Sequence, residues 1–339
     1  MVETRRAAVI GTTSWGTTLA ILLGRFGVAT SLWARTEEES TQLRDDGENR
    51  ARLAGARFPA SLNVTADPSE ATEGAEIIVI AVPSIAFRES VQQLRRVAID
   101  REAIIVGATK GLERGTGRRM SEILEEELGR DLSRRYAILS GPNLAKEIAQ
   151  GMPSTTVVAS TDLKVAEHAQ ELFNSSAFRV YTSKDVIGVE LGGALKNILA
   201  IGAGMADGMG YGDNGKAAFV SRGLAEITRL GVAAGAEALT FSGLAGIGDT
   251  IATCYSQLSR NRFVGQELAR GRPLSDILWS LGQVAEGVDT TAAALVLAER
   301  LAVDMPIAEQ TRRVLQEGLE PKQALGELMA RAPKSEHPL

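Results

Sequence analysis

The sequence predicts an α/β protein: a doubly wound parallel sheet over residues 1–184, followed by an all-α C-terminal domain over residues 185–339. Three observations carry that expectation. Short β-rich apolar runs alternate with stretches of helical spacing through the first half. The first run ends in a glycine that opens a helix, Gly11-Thr12-Thr13-Ser14-Trp15-Gly16. After about residue 184 the strand signals stop and long apolar-periodic segments take over.

Taken in order, residues 7–10 form a first strand, 15–26 have helical spacing and 29–34 form a second strand. Residues 76–82 are a buried-type strand ended by Pro83-Ser84, and 103–108 are another. Residues 136–139 lead into Ser140-Gly141-Pro142-Asn143, and runs at 155–159 and 178–181 close the pattern. Strands separated by helices argue for parallel pairing. The expected helical segments then run over 186–205, 216–234, 236–241, 261–269, 273–281, 290–301 and 307–317. No low-complexity linker marks the boundary, so the two halves are expected to pack tightly.

Composition narrows the function. At roughly 150 residues per domain, 339 residues make about two domains, and 44% apolar with 23% charged residues suits an ordinary globular chain. A net charge of −5 argues against a nucleic-acid footprint, while a local cationic pocket can still take a small anion. The lone cysteine, Cys254, excludes an intrachain disulfide, fits a reducing compartment and reads as a buried inert thiol. His168 falls in a surface-helix pattern and His337 in a polar tail, Lys334-Ser335-Glu336-His337. A histidine acid/base or a His/Cys zinc site is therefore hard to assemble, which leaves proton transfer to Lys, Asp or Glu. The N-terminal apolar run is too short for a signal peptide. The longest apolar stretch, 187–205, holds Glu190, Lys196 and Asn197 and makes a poor membrane span. The expected protein is soluble and cytoplasmic.

Several constellations point to chemistry. The turn from Gly11 to Gly16 puts a helix N-terminus where free N–H groups and the dipole attract a dinucleotide pyrophosphate, a Rossmann-type arrangement. Thr13 stands where the G-x-G-x-x-G pattern has its middle glycine. Arg35 follows the second strand, 35 − 11 = 24 residues after Gly11. An arginine there can hold the extra phosphate of NADP, or be a solvated surface residue. Lys110, after a buried strand in Gly107-Ala108-Thr109-Lys110-Gly111, faces the ligand crevice as a phosphate or substrate contact, or lies solvated on a turn.

Lys196 interrupts a nearly all-apolar helix in Gly192-Gly193-Ala194-Leu195-Lys196-Asn197. It must be paired, near water or shifted in pKa, and is either a catalytic lysine or half of a structural ion pair. Glu190 and Asn197 share one helical stripe, with Lys196 on the next. The paired glycines imply a packing or ligand reason, since each costs a helix ~1 kcal/mol. Residues 243–249 read as a glycine-rich loop carrying Asp249. Ser259 then caps a helix with Arg260 and Asn261 at its start, a phosphate site or an ordinary cap. Val284-Ala285-Glu286-Gly287 is a short polar interruption that means little alone.

In this order and spacing the pieces resemble the bacterial-type NAD(P)-dependent glycerol-3-phosphate dehydrogenase family over nearly the whole chain. The most specific parts are Ser14-Trp15-Gly16-Thr17, Val82-Pro83-Ser84, Thr109-Lys110-Gly111, Gly141-Pro142, Ala145-Lys146-Glu147, Leu195-Lys196-Asn197, Gly246-Ile247-Gly248-Asp249 and Ser259-Arg260-Asn261. The resemblance implies hydride transfer between NADP or NAD and the glycerol 3-phosphate/dihydroxyacetone phosphate pair, feeding glycerophospholipid synthesis. It implies a cofactor site of Gly11, Ser14, Trp15, Gly16, Arg35, Lys110, Ala145, Arg260, Val284 and Glu286. Substrate would be held by Lys110, Gly141, Asn143, Asp249, Ser259, Arg260 and Asn261, with Lys196 as proton donor and acceptor. It also suggests a homodimer. Two positions depart from the family pattern, which has glycine at 13 and serine at 143. Thr13 adds a side chain where backbone approaches the pyrophosphate; Asn143 keeps a polar group with changed geometry. Two other readings compete. A hydroxy-acid dehydrogenase of similar architecture is opposed by Asp249 and Arg260. A silent NADP-binding sensor is opposed by Lys110, Lys196 and Asp249, since a sensor needs no proton donor.

Overall fold

The computed structural model describes residues 5–129, 131, 134–333 and 335. His337, expected in a polar tail, lies outside the described residues. The sheet has eight strands: β1 (Arg6–Ile10), β2 (Ala29–Trp33), β3 (Leu62–Thr65), β4 (Ile77–Ile80), β5 (Ile104–Gly107), β6 (Tyr136–Ser140), β7 (Ser154–Ala159) and β8 (Phe178–Ser183). Their order is β3-β2-β1-β4-β5-β6-β7-β8. The direction of progression reverses between β1 and β4, and a ligand crevice opens at such a switch point, beyond the strand carboxyl ends. β1, β4 and β5 are buried on both faces, which explains runs such as Ile77-Ile78-Val79-Ile80.

The structure corrects the expected sheet twice. β3 was not anticipated, because Leu-Asn-Val-Thr at an edge is short and half polar. The sheet is also not wholly parallel, since β6 pairs antiparallel with β7. Between Ser140 and Ser154 there is one five-residue helix, Ala145–Ala149. Such a helix spans about 7.5 Å and cannot recross the sheet, so the chain turns straight back. Apolar runs reveal strands, not their direction.

The second half is helical, built around Val186–Gly208, of which all but a few residues are buried. This is the one helix among the described residues long and apolar enough to cross a membrane, yet 89% of its apolar window lies inside the protein. It is a core helix. It crosses the helix Arg260–Ala269 backbone to backbone: a Cβ at Gly265 would lie 1.8 Å from the Ile201 carbonyl oxygen. That contact fixes the start of the second helix beside Lys196 and Asn197.

Two segments differ from expectation. Residues 244–248 form a π-helical turn running into the helix Asp249–Tyr255, where a glycine-rich loop was expected. Glycine is poor in helices, but a Cβ at Gly246 would sit 2.1 Å from the Phe241 carbonyl oxygen, so that glycine serves packing. The helix Pro321–Met329 was also not anticipated. Glu190 shares the Asn197 stripe of the helix Val186–Gly208, as expected, and its partners lie in the first half. It ties the halves together, accepting hydrogen bonds from Arg119 (2.9 Å) and the Ser121 N–H (2.8 Å).

Glu226 gives a test of the helical core. It is 2% exposed and accepts from the N–H groups of Ile307 and Ala308 at the start of the helix Pro306–Glu317. Burial pushes its carboxyl up to about 7, against those two hydrogen bonds and the pull of Arg229. The folded state therefore holds a proton that the unfolded chain releases near pH 4.5. Stability from this group is present below that pH and is lost as pH rises through about 7. The wild-type unfolding free energy, minus that of Glu226→Gln, is expected to fall by roughly 1–3 kcal/mol between pH 5 and 8. Urea midpoints of both proteins across that range check it; a flat difference contradicts it.

Candidate active site

The cleft beyond β1, β4 and β5 has a volume of about 480 Å³ and is lined from both halves of the chain. A larger cavity of about 1080 Å³ lies between helices of the second half, lined by residues such as Met205, Phe219 and Leu325, and holds none of the expected site residues.

At one end of the cleft the helix Ser14–Arg25 begins. Gly11 has φ +105°, and a Cβ at Gly16 would meet the Gly11 carbonyl oxygen at 2.1 Å, so both glycines are demanded by the turn. The first intrahelical bond is Thr17 N–H to the Thr13 carbonyl at 2.9 Å. The N–H groups of Ser14 and Trp15 precede it and remain for an anion. The buried Trp15 indole N–H has no hydrogen-bond partner in the protein, in a residue that lines the cleft. A turn with free donors and an orphaned indole fits a bound dinucleotide.

Thr13 is not the intruder expected from the sequence. Its hydroxyl caps the helix, accepting from the Gly16 N–H at 2.9 Å and donating to the Ala81 carbonyl at 2.7 Å. Thr13→Gly should lower stability by about 0.3–1 kcal/mol and leave NADPH affinity equal or weaker, measured by thermal melts and equilibrium titration. A clear gain in affinity would restore the steric reading.

At the other end three charged groups converge. Asp249, 1% exposed, accepts from Lys196 Nζ at 2.7 Å through Oδ1 and from Lys110 Nζ at 2.6 Å through Oδ2. Lys110 Nζ also donates to the Gly141 carbonyl at 2.8 Å, and Lys196 Nζ to the Thr253 hydroxyl. Burial pushes the Lys110 ammonium down to about 8; the Lys196 charge adds to that and Asp249 opposes it. Gly192 and Gly193 serve packing: Cβ atoms there would lie 2.6 Å from the Ala245 carbonyl oxygen and 2.4 Å from Ser140 Oγ.

Next to this trio, Asn197 donates to the Lys110 carbonyl (3.3 Å) and accepts from Asn261 Nδ2 (2.9 Å). Asn261 in turn accepts from the Gly287 N–H at 2.9 Å. Ser259 caps the helix Arg260–Ala269, accepting from the Arg262 N–H. Arg260 Nη1 lies 3.4 Å from Gln283 Oε1. Glu286 closes the cleft onto the sheet, accepting from the Ser84 N–H at 3.1 Å and from its hydroxyl. Burial raises the Glu286 carboxyl above its ordinary value, opposed by both Ser84 bonds.

The structure thus gathers Ser14, Trp15, Lys110, Asn143, Ala145, Lys196, Ser259, Arg260, Asn261, Val284 and Glu286 around one cleft, with Asp249 and Gly141 bonded to its lysines. Two expected residues stand differently. Arg35 is exposed two residues past β2 and does not line this cleft. The Asn143 amide is bonded to the Thr155 carbonyl (3.1 Å) and the Thr156 hydroxyl (3.0 Å), so it braces β7. Sequence reasoning missed Thr253, Gln283 and Arg52, and named Ser84 only within the Val82-Pro83-Ser84 motif, without a site role. Thr253 was within reach, being four residues after Asp249 and so on the same helical face, had that helix been recognised. Ser14 Oγ lies 2.8 Å from the Arg52 carbonyl and 3.1 Å from Gln283 Oε1, a link across the cleft.

A doubly wound sheet with a dinucleotide turn, facing a buried lysine–aspartate–lysine cluster on a helical half, defines an NAD(P)-dependent oxidoreductase. Residues 6–166 and 185–326 match the family models for the NAD-dependent glycerol-3-phosphate dehydrogenase N-terminus and C-terminus. The chain belongs to this family. It is 48% identical to the glycerol-3-phosphate dehydrogenase [NAD(P)+] of Chlorobium limicola over 329 residues, covering 97% of this chain and 98% of that protein. It is also 48% identical to the protein of the same name from Dehalococcoides mccartyi, covering 96% of this chain and 90% of that one. The crystal structure of the glycerol-3-phosphate dehydrogenase of Coxiella burnetii superposes with a TM-score of 0.92 at 37% identity, covering 97% and 99% of the two chains.

Proposed function

We propose that this protein interconverts dihydroxyacetone phosphate and sn-glycerol 3-phosphate, with residues 1–184 holding the dinucleotide and 185–339 carrying substrate and proton transfer. The observation that carries this is the convergence of Lys196, Asp249 and Lys110 beside a capped helix start bearing Arg260 and Asn261. The bound nicotinamide supplies or takes the hydride. Lys196, as its ammonium, gives the proton to the developing alkoxide and takes it back in the reverse direction. Asp249 holds Lys196 and Lys110 at a fixed separation, so neither amine has to reorganise during the step. Lys110 adds a second positive charge for the oxyanion or phosphate. Arg260 and the helix N-terminus hold the substrate phosphate and thereby the carbonyl position. Ser14, Trp15, Ala145, Val284 and Glu286 line the cofactor side.

The cytoplasmic setting and the homodimer belong to the same proposal and are supported by the family membership, and the product suits glycerophospholipid synthesis. A panel of ketones with both cofactors tests the substrate. Dihydroxyacetone phosphate should be reduced far better than unphosphorylated dihydroxyacetone or any 2-oxo acid; a preference for a 2-oxo acid would make it a hydroxy-acid dehydrogenase.

A further inference from the structure

The end of β2 holds a carboxylate that the motifs do not reveal. Glu39 lies in the first turn of the helix Glu37–Asp46, four residues after Arg35. Its side chain does not point along the helix to solvent. It folds back, so that Oε1 accepts from the Thr12 hydroxyl at 2.6 Å and Oε2 from the Arg35 N–H at 3.2 Å. Thr12 belongs to the turn after β1, and Arg35 lies two residues past the end of β2. The carboxylate therefore bridges the two strand ends between which a doubly wound fold seats the adenosine ribose.

NAD-selective folds place an acid at the end of β2 to accept from the ribose hydroxyls, and an arginine nearby accommodates the 2′-phosphate of NADP. Here the arginine occupies the strand end, and the acid reaches the same spot from one helical turn later. We infer that Glu39 is the acceptor for the adenosine ribose hydroxyls and, with Arg35, sets the balance between NADH and NADPH. A carboxylate has about four acceptor positions, so those left by Thr12 and the Arg35 N–H face a ribose. The same charge repels a 2′-phosphate that the Arg35 guanidinium attracts. The two side chains pull in opposite directions and leave both cofactors usable.

This inference rests on the proposal that the Gly11–Gly16 turn seats the dinucleotide, and its test separates the two. Dissociation constants for NADH and NADPH would be measured by equilibrium fluorescence titration in wild type, Arg35→Ala, Glu39→Gln and Glu39→Ala, together with kcat/KM for each cofactor. Glu39→Gln keeps the shape and an acceptor for Thr12, so the turn survives. Arg35→Ala should weaken NADPH about tenfold or more and leave NADH nearly unchanged. Both Glu39 variants should do the reverse, weakening NADH by about tenfold while NADPH is unchanged or tighter. If the Glu39 variants weaken both cofactors in proportion, Glu39 is a brace for the turn and the inference fails while the cofactor site stands. If no variant moves the ratio, the ribose lies elsewhere, and both fail.

Discussion

Lys196→Ala is expected to lower turnover by ~10²–10⁴-fold, the loss typical of a positioned acid or base, while NADPH affinity stays close to wild type. Lys196 is 6% exposed and holds Asp249 and Thr253. Among the described residues, neither a histidine nor the thiol is placed to substitute: His168 sits on an outer helix 3.6 Å from Glu76, and burial pushes the Cys254 thiol up to about 12. Removing Lys196 leaves Asp249 paired with Lys110, so the fold should tolerate the change better than the chemistry does. The measurement is kcat and KM for dihydroxyacetone phosphate beside an equilibrium NADPH titration. Near-normal turnover would reduce Lys196 to one member of a structural ion pair.

Asp249→Asn should damage both fold and activity. The wild-type carboxylate is shared by two ammonium groups within 2.7 Å. Breaking a buried ion pair by removing one partner costs about 3–5 kcal/mol, because the other charge stays buried without compensation. Turnover should fall by about 10²-fold or more as Lys196 loses its fixed position. There is also a signature in pH. Burial already lowers Lys110 to about 8 against the pull of Asp249. Without that pull Lys110 gives up its proton at lower pH, so the alkaline decline in kcat/KM should move below about 8. Urea unfolding and a pH profile of the variant check both parts. A stable protein with an unmoved alkaline limb would show that the three groups are not coupled.

Much of this site was legible because charge inside an apolar pattern stands out. Lys196 was visible as the cation in a long apolar helix, and Gly11 and Gly16 as punctuation between strand and helix. β1, β4 and β5 were plain because buried parallel strands are continuously apolar. What escaped was information carried by tertiary contact. Asp249 was found but put on a loop, because glycines at 243, 246 and 248 suppress any helical pattern, whereas Gly246 is pressed against Phe241. That misplacement hid Thr253. The Glu190–Arg119 tie joins residues 71 apart in the chain, beyond any periodicity. The reversal at β7 depended on the reach of a five-residue helix, and Thr13 on a hydrogen bond to Ala81 across the sheet.

The central claim is a hydride moved onto the middle carbon of dihydroxyacetone phosphate with a proton from Lys196. It is tested most directly by reducing that ketone with NADPH carrying deuterium at the transferable position. The product should be sn-glycerol 3-phosphate with a single deuterium on C2, formed at the same rate as NADPH is consumed and correspondingly slowly in Lys196→Ala. Cofactor that binds without transferring deuterium would contradict the account and leave a protein that senses the dinucleotide and performs no reduction.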